Sequence, residues 1–201
     1  MKRGFTLIEL MVSVGIFTIV MVVALGALLA IAESDRRAQT LKTITNNLNF
    51  AVESMSRNIR TGREYNCGSS AGGDCSQASG EPNGDTSLYF RAIDGNIWAY
   101  RWSTDCTPPN TTGCIQRSTN GGSTWEVITA PEVVVANCGS QITGTCTPGT
   151  AGLTFYLLGS TQGDIYQPRV IITIRGYVQV SAALRSNFNL QTTVTQRLYD
   201  Q

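Results

Sequence analysis

Histidine is missing altogether from the 201 residues. Its absence removes the commonest general base near neutral pH, the Ser-His-Asp and Cys-His nucleophile systems, and the commonest metal ligand. The absence argues against most hydrolytic mechanisms, and the chain is expected to be no enzyme and to need no cofactor. Net charge is almost absent too: 15 lysines and arginines stand against 14 aspartates and glutamates, a formal +1. No bulk attraction to nucleic acid or an anionic membrane follows, and any such binding has to be local. No C-x-x-C spacing occurs, which argues against a zinc site and against redox catalysis. Asp85, Asp94, Asp105 and Asp164 are scattered without the spacing of a calcium loop, so no metal is expected.

What is present begins with six cysteines, set in stretches rich in Gly, Ser, Thr and Asn. Such usage favours an oxidising compartment over the cytosol. The cysteines fall into three pairs of identical spacing, Cys67 with Cys75, Cys106 with Cys114 and Cys138 with Cys146. Local pairing is the simplest connectivity. Each bridge would contribute about 2.5 kcal/mol of loop entropy, enough to brace long glycine-rich loops.

The N-terminus explains how the chain reaches that compartment. Lys2 and Arg3 precede an apolar run over residues 5–32, and no ionisable side chain lies between Glu9 and Glu33. That interval is long enough to cross a bilayer as a helix, with the basic residues holding its start on the cytoplasmic side and the rest outside. The alternative is a secretory signal peptide cut after Ala30-Ile31-Ala32. Against it stand the length of the run and the carboxylate of Glu9 at its leading edge. An acidic group in a membrane helix costs on the order of 2.5 to 3.5 kcal/mol at the centre and less near an end, so Glu9 calls for a positive partner.

The segment Lys2-Arg3-Gly4-Phe5-Thr6-Leu7-Ile8-Glu9-Leu10, followed by the apolar run, resembles the leader of type IV prepilins and pseudopilins. The resemblance implies cleavage after Gly4 and methylation of Phe5 by a prepilin peptidase. It also implies that Glu9 pairs with the N-terminus of a neighbouring subunit during assembly. The partners so implied are the peptidase, other pilin or pseudopilin subunits and the inner-membrane assembly platform. The implied location is the bacterial cytoplasmic membrane, crossed once with the head outside, and then an extracytoplasmic filament. Unlike the best-known major pilins, the run holds no proline, which favours a minor pilin or pseudopilin. Gly26 and Ala30 have the small-xxx-small spacing that allows close helix approach, or are simply small residues that lipid tolerates.

Beyond the membrane, Ala38, Leu41, Ile44, Leu48, Val52, Met55 and Ile59 make one apolar stripe at helical spacing. Gly62 is placed to stop the helix, with Arg57 and Arg60 in its last turn. Residues 63–83 read as a long surface connection. Strands are then expected at 87–93, 96–102, 114–117, 124–128, 133–135, 153–158, 169–180 and 188–197, the first two joined by a two-residue Asp94-Gly95 turn. The fold class is α+β, a long N-terminal helix packed on an antiparallel head with disulfide-braced loops. The divisions are 1–4 leader, 5–32 membrane and assembly helix, 33–62 amphipathic extension and 63–201 head.

Two stretches of the head are similar to J-type pseudopilins and W-type minor pilins. One is the strand order Ile97 to Arg101, Ile115-Gln116-Arg117 and Trp125 ahead of Ile128-Thr129; the other is the closing strand Phe188 to Arg197. That similarity implies a place in a tip complex that initiates the filament. For binding, alternation puts Trp98, Tyr100 and Trp102 on one face, and a two-residue turn sets Arg91 opposite Trp98 and Tyr89 opposite Tyr100. Such a face could stack bases or sugars, or could pack beneath the helix stripe, which is the favoured reading. Asn110-Thr111-Thr112 fits a glycosylation sequon. The function expected is that of a structural filament subunit. The alternatives are a pilus-tip receptor for DNA or another ligand and a secreted binding protein.

Overall fold

The structure is a computed structural model that describes residues 6–68, 84–107, 112–138, 146–159, 167–181 and 184–197. The chain divides into two compact units, Met1–Lys42 and Thr43–Gln201. One helix, α1 (Leu7–Arg60), runs through the boundary, and the described part of the first unit consists of it almost entirely. There its side chains are exposed nearly throughout, apolar ones included. The helix is long and apolar enough to cross a membrane.

In the second unit the helix buries Ile44, Leu48, Ala51, Met55 and Ile59, with Val52 packed beside them. Ala38, expected on this stripe, is exposed, whereas Ala51, which the spacing omitted, is buried. Alanine carries too little surface to mark a face by composition, so its burial follows from the side chains around it. The helix ends in a dense polar knot. The Ile59 carbonyl accepts from the Gly62 amide at 3.0 Å and the Tyr65 hydroxyl at 2.7 Å, and the Arg60 carbonyl accepts from the Arg197 amide at 2.9 Å. These bonds supply partners for carbonyls that a helix end leaves open. Gly62 does stand at this end, but not in the left-handed conformation. A β-carbon there would run into the Phe90 ring, so close approach is what the position demands.

The first sheet has the order β1-β2-β3-β4-β5, from β1 (Arg63–Cys67), β2 (Ser87–Arg91), β3 (Ile97–Ser103), β4 (Cys114–Ser118) and β5 (Glu126–Val127), all antiparallel. β1 corrects the expectation of a surface connection from residue 63 onward: Tyr65 and Cys67 are buried two apart, an alternation too short to stand out among polar neighbours. The second sheet comprises β6 (Val133–Asn137), β7 (Thr147–Ala151), β8 (Leu153–Leu158), β9 (Arg169–Ser181) and β10 (Leu184–Thr195). β9 pairs along one side with β10 and along the other with β8 and β6 in turn. β7 was not foreseen; it holds Pro148 and Gly149, residues that depress strand propensity, and among the described residues it pairs with β6 alone. Asp85 bridges to Phe155 through two backbone bonds of 2.9 and 2.7 Å, linking the approach to β2 with the second sheet. One core then joins the helix stripe to Tyr65, Leu88, Phe90, Tyr100 and Ile115 of the first sheet and Leu153, Phe155, Ile172 and Ile174 of the second.

Candidate assembly segment and ligand face

Thr6 and Glu9 open α1 together. The Glu9 amide donates to Thr6 Oγ1 at 3.4 Å, and Thr6 Oγ1 donates in turn to Glu9 Oε2 at 3.5 Å. A threonine followed three residues later by a glutamate is the capping-box pattern, so Glu9 helps to start the helix as well as carrying its first charge. Ser13 and Thr18 return their hydroxyls to carbonyls one turn back, at 3.0 Å to Leu10 and 2.8 Å to Gly15, so that each exposed hydroxyl has an acceptor within its own helix. Gly4 and Phe5, where processing is expected, lie outside the described residues.

The expected ligand face does not form as drawn. The β2–β3 connection is one residue longer than a two-residue turn: the Ala92 amide donates to the Asn96 carbonyl at 2.9 Å, the Gly95 amide donates to Ala92 at 3.0 Å, and Gly95 takes φ 83°. That is a three-residue loop with glycine at its left-handed position. Register moves accordingly, with Arg91 opposite Ile97, Phe90 opposite Trp98 and Leu88 opposite Tyr100. Since a shift of one residue exchanges faces, Arg91 parts company with Trp98, Tyr100 and Trp102. Tyr100 is fully buried against the helix, where its hydroxyl accepts from Asn58 at 2.9 Å. Burial pushes its phenol pKa up, against a smaller opposing effect of that bond and of Arg117. Trp102 packs on the core and donates to the Val135 carbonyl at 2.7 Å. Trp98 also packs there and donates to Asp94 at 3.2 Å. Asp94 is held below the ordinary carboxylate range mainly by the Asn96 amide.

The other face of the first sheet carries a polar and aromatic group of its own. Arg101 stacks 3.9 Å over the ring of Trp125. A β-carbon on Gly122 would lie 3.4 Å from Trp125 and 3.5 Å from the Tyr89 hydroxyl, so the turn after β4 lies against both rings. Beside Tyr89 is a pocket of about 80 Å³ lined by Glu64, Asn66, Tyr89, Phe90, Arg91 and Ile97. Glu64 Oε2 holds Arg91 Nε at 2.8 Å, and Arg91 Nη1 donates to the Gly95 carbonyl at 3.0 Å.

Glu64 is the one described residue other than glycine with positive φ, at 56°. It sits in a bulge, since register along β1 jumps between Arg63 and Asn66. A left-handed residue with a β-carbon costs roughly 1 to 2 kcal/mol, whereas the exposed pairs of Glu64 with Arg91 at 2.8 Å and with Arg63 at 3.9 Å each return about 0 to 1 kcal/mol. Stability alone therefore gives glutamate no clear advantage over glycine at this position. Sequence reasoning missed Glu64 because nothing in composition or periodicity marks a glutamate for a conformation that glycine and asparagine usually take.

Cys106 is joined to Cys114 and Cys138 to Cys146. Cys67 is also disulfide-bonded, and Cys75, its expected partner, lies outside the described residues. The expected sequon at Asn110 lies outside them as well.

Among known families, residues 1–32 match the prokaryotic N-terminal methylation motif, the leader signature of type IV pilins and pseudopilins. The motif supports a type IV pilin-like or pseudopilin protein, with the processing by a prepilin peptidase and the assembly among pilin-type subunits that this leader implies. Comparison with curated proteins and with solved structures gives no match.

Proposed function

We propose that the chain is a minor pilin or pseudopilin, a structural subunit of a type IV pilus or of a type II secretion pseudopilus, within the complex that initiates the filament. The observation that carries this reading is the methylation motif over residues 1–32, with Glu9 in the first turn of a helix that presents apolar side chains on every side. Such a helix buries that surface only in lipid or among other helices. Cleavage after Gly4 would create an ammonium on Phe5 of each neighbouring copy, and Glu9 would pair with it once both had left water. The head acts outside the cytoplasmic membrane by contact with other subunits and performs no turnover.

Glu9→Gln separates charge from capping, because the amide oxygen still accepts from Thr6. The variant, like Glu9→Ala, is expected to be cleaved and inserted normally, yet to lose filament incorporation by at least tenfold in cross-linking against co-expressed subunits. Normal incorporation of both variants would refute the role given to Glu9.

A further inference from the structure

We propose that the pocket on the outer face of the first sheet binds one unit of a neutral saccharide, with Glu64 and Arg91 as its polar floor and Tyr89 as its aromatic wall. The proposal goes beyond the filament reading and rests on none of it. Three observations converge on the place. A polar pocket of about 80 Å³ brings together a carboxylate, a guanidinium, a carboxamide and a phenol from Glu64, Arg91, Asn66 and Tyr89. Next to it, Tyr89 and Trp125 both border Gly122, and Arg101 covers the ring of Trp125. Finally, Glu64 is held in a left-handed bulge whose strain its exposed ion pairs with Arg91 and Arg63 at best balance. Bulges re-aim side chains next to functional sites, and backbone strain at a position that glycine would occupy without it points to a demand on the side chain itself.

The chemistry selects the ligand class. A carboxylate accepts from vicinal hydroxyls, a guanidinium and an amide donate to them, and an aromatic ring covers the apolar C–H face of a pyranose. Nucleic acid suits the place less well. Glu64 repels phosphate, and the chain has a formal charge of only +1. Arg91 is already tied to Glu64 and to the Gly95 carbonyl, so it is preset to orient a ligand.

The test uses the full chain in a detergent without a sugar head group, titrated separately with D-glucose, D-galactose, D-mannose and N-acetyl-D-glucosamine. Binding is followed by saturation-transfer NMR and tryptophan fluorescence. At least one sugar is expected to bind with a Kd of roughly 1 mM, the range open to so small a ligand. Glu64→Gly relieves the left-handed conformation, so its Tm should equal or exceed that of the parent while affinity falls at least tenfold. Asn66→Ala, which leaves the bulge residue alone, should also weaken binding. Failure of all four sugars to bind overturns the proposal, as does unchanged affinity in both variants. Salt-sensitive binding of an oligothymidylate that displaces the sugar would reassign the pocket to nucleic acid and overturn it equally.

Discussion

Tyr100 ties the head's aromatic face to the helix, and its chemistry gives a pH signature. Its folded pKa is raised because burial disfavours the phenolate. The unfolded chain therefore releases this proton first, so the stabilisation is complete below about pH 10 and is lost as pH rises through the folded value. Tyr100→Phe should cost about 1 kcal/mol near neutrality, since the Asn58 amide loses its acceptor in a half-buried site. The same variant should lose less stability than the parent between pH 9 and 11, a comparison that thermal unfolding in detergent reads directly. Equal losses would show that Tyr100 titrates as in the unfolded chain. Gly95→Ala, in open space at φ 83°, should cost about 1 to 2 kcal/mol from backbone strain alone. Neither outcome follows from residue type. Tyr100 could be recognised as an aromatic on an alternating strand, but the register that buries it depends on one extra loop residue that Asp94-Gly95 does not reveal.

Helix α1 has a second half whose periodicity declares its buried face well. Ile44, Leu48, Met55 and Ile59 were all on the expected stripe, because large apolar residues at helical spacing have nowhere else to go than a core. Met55→Ala should cost about 2 to 5 kcal/mol by opening a cavity under the sheet. Phe50→Ala, on the outward side at 75 % exposure, should stay within about 0.5 kcal/mol. Comparable losses at both positions would contradict the packing of the helix. Strands with strong alternation, such as Leu153–Leu158 and Arg169–Ser181, were legible for the same reason. Arg63–Cys67 and Thr147–Ala151 were not: the first buries only Tyr65 and Cys67 among polar neighbours, and the second, with Thr147 and Gly149 exposed, is held by pairing with β6. The disulfide loops belong to this scale too. Peptide mapping without reductant should recover Cys106 linked to Cys114 and Cys138 to Cys146, with Cys67 linked to Cys75; a long-range link would contradict the local bracing.

For the molecule as a whole, the class of fold was legible and the sheet order was not. A membrane-length apolar run, a helical stripe and successive strand signals led to a long helix and an antiparallel head, which is the fold observed. That β9 takes β10 on one side and shares the other between β8 and β6 depends on contacts far apart in the chain, which no local pattern carries. The candidate ligand face shows the same limit, for Trp98, Tyr100 and Trp102 turned to the core while Tyr89, expected beside Tyr100, came together with Trp125 and Arg101 on the opposite side. The assembly motif was the most legible feature of all, because short contiguous segments carry their chemistry in order, and residues 1–32 match a known leader. Its central consequence is a chain cut after Gly4 that keeps its apolar helix. Intact mass spectrometry of the protein from membranes of cells that express a prepilin peptidase tests this most directly. A mature chain beginning at methylated Phe5 is the result expected; a chain beginning at Glu33, or one still carrying Met1 to Gly4, would contradict it.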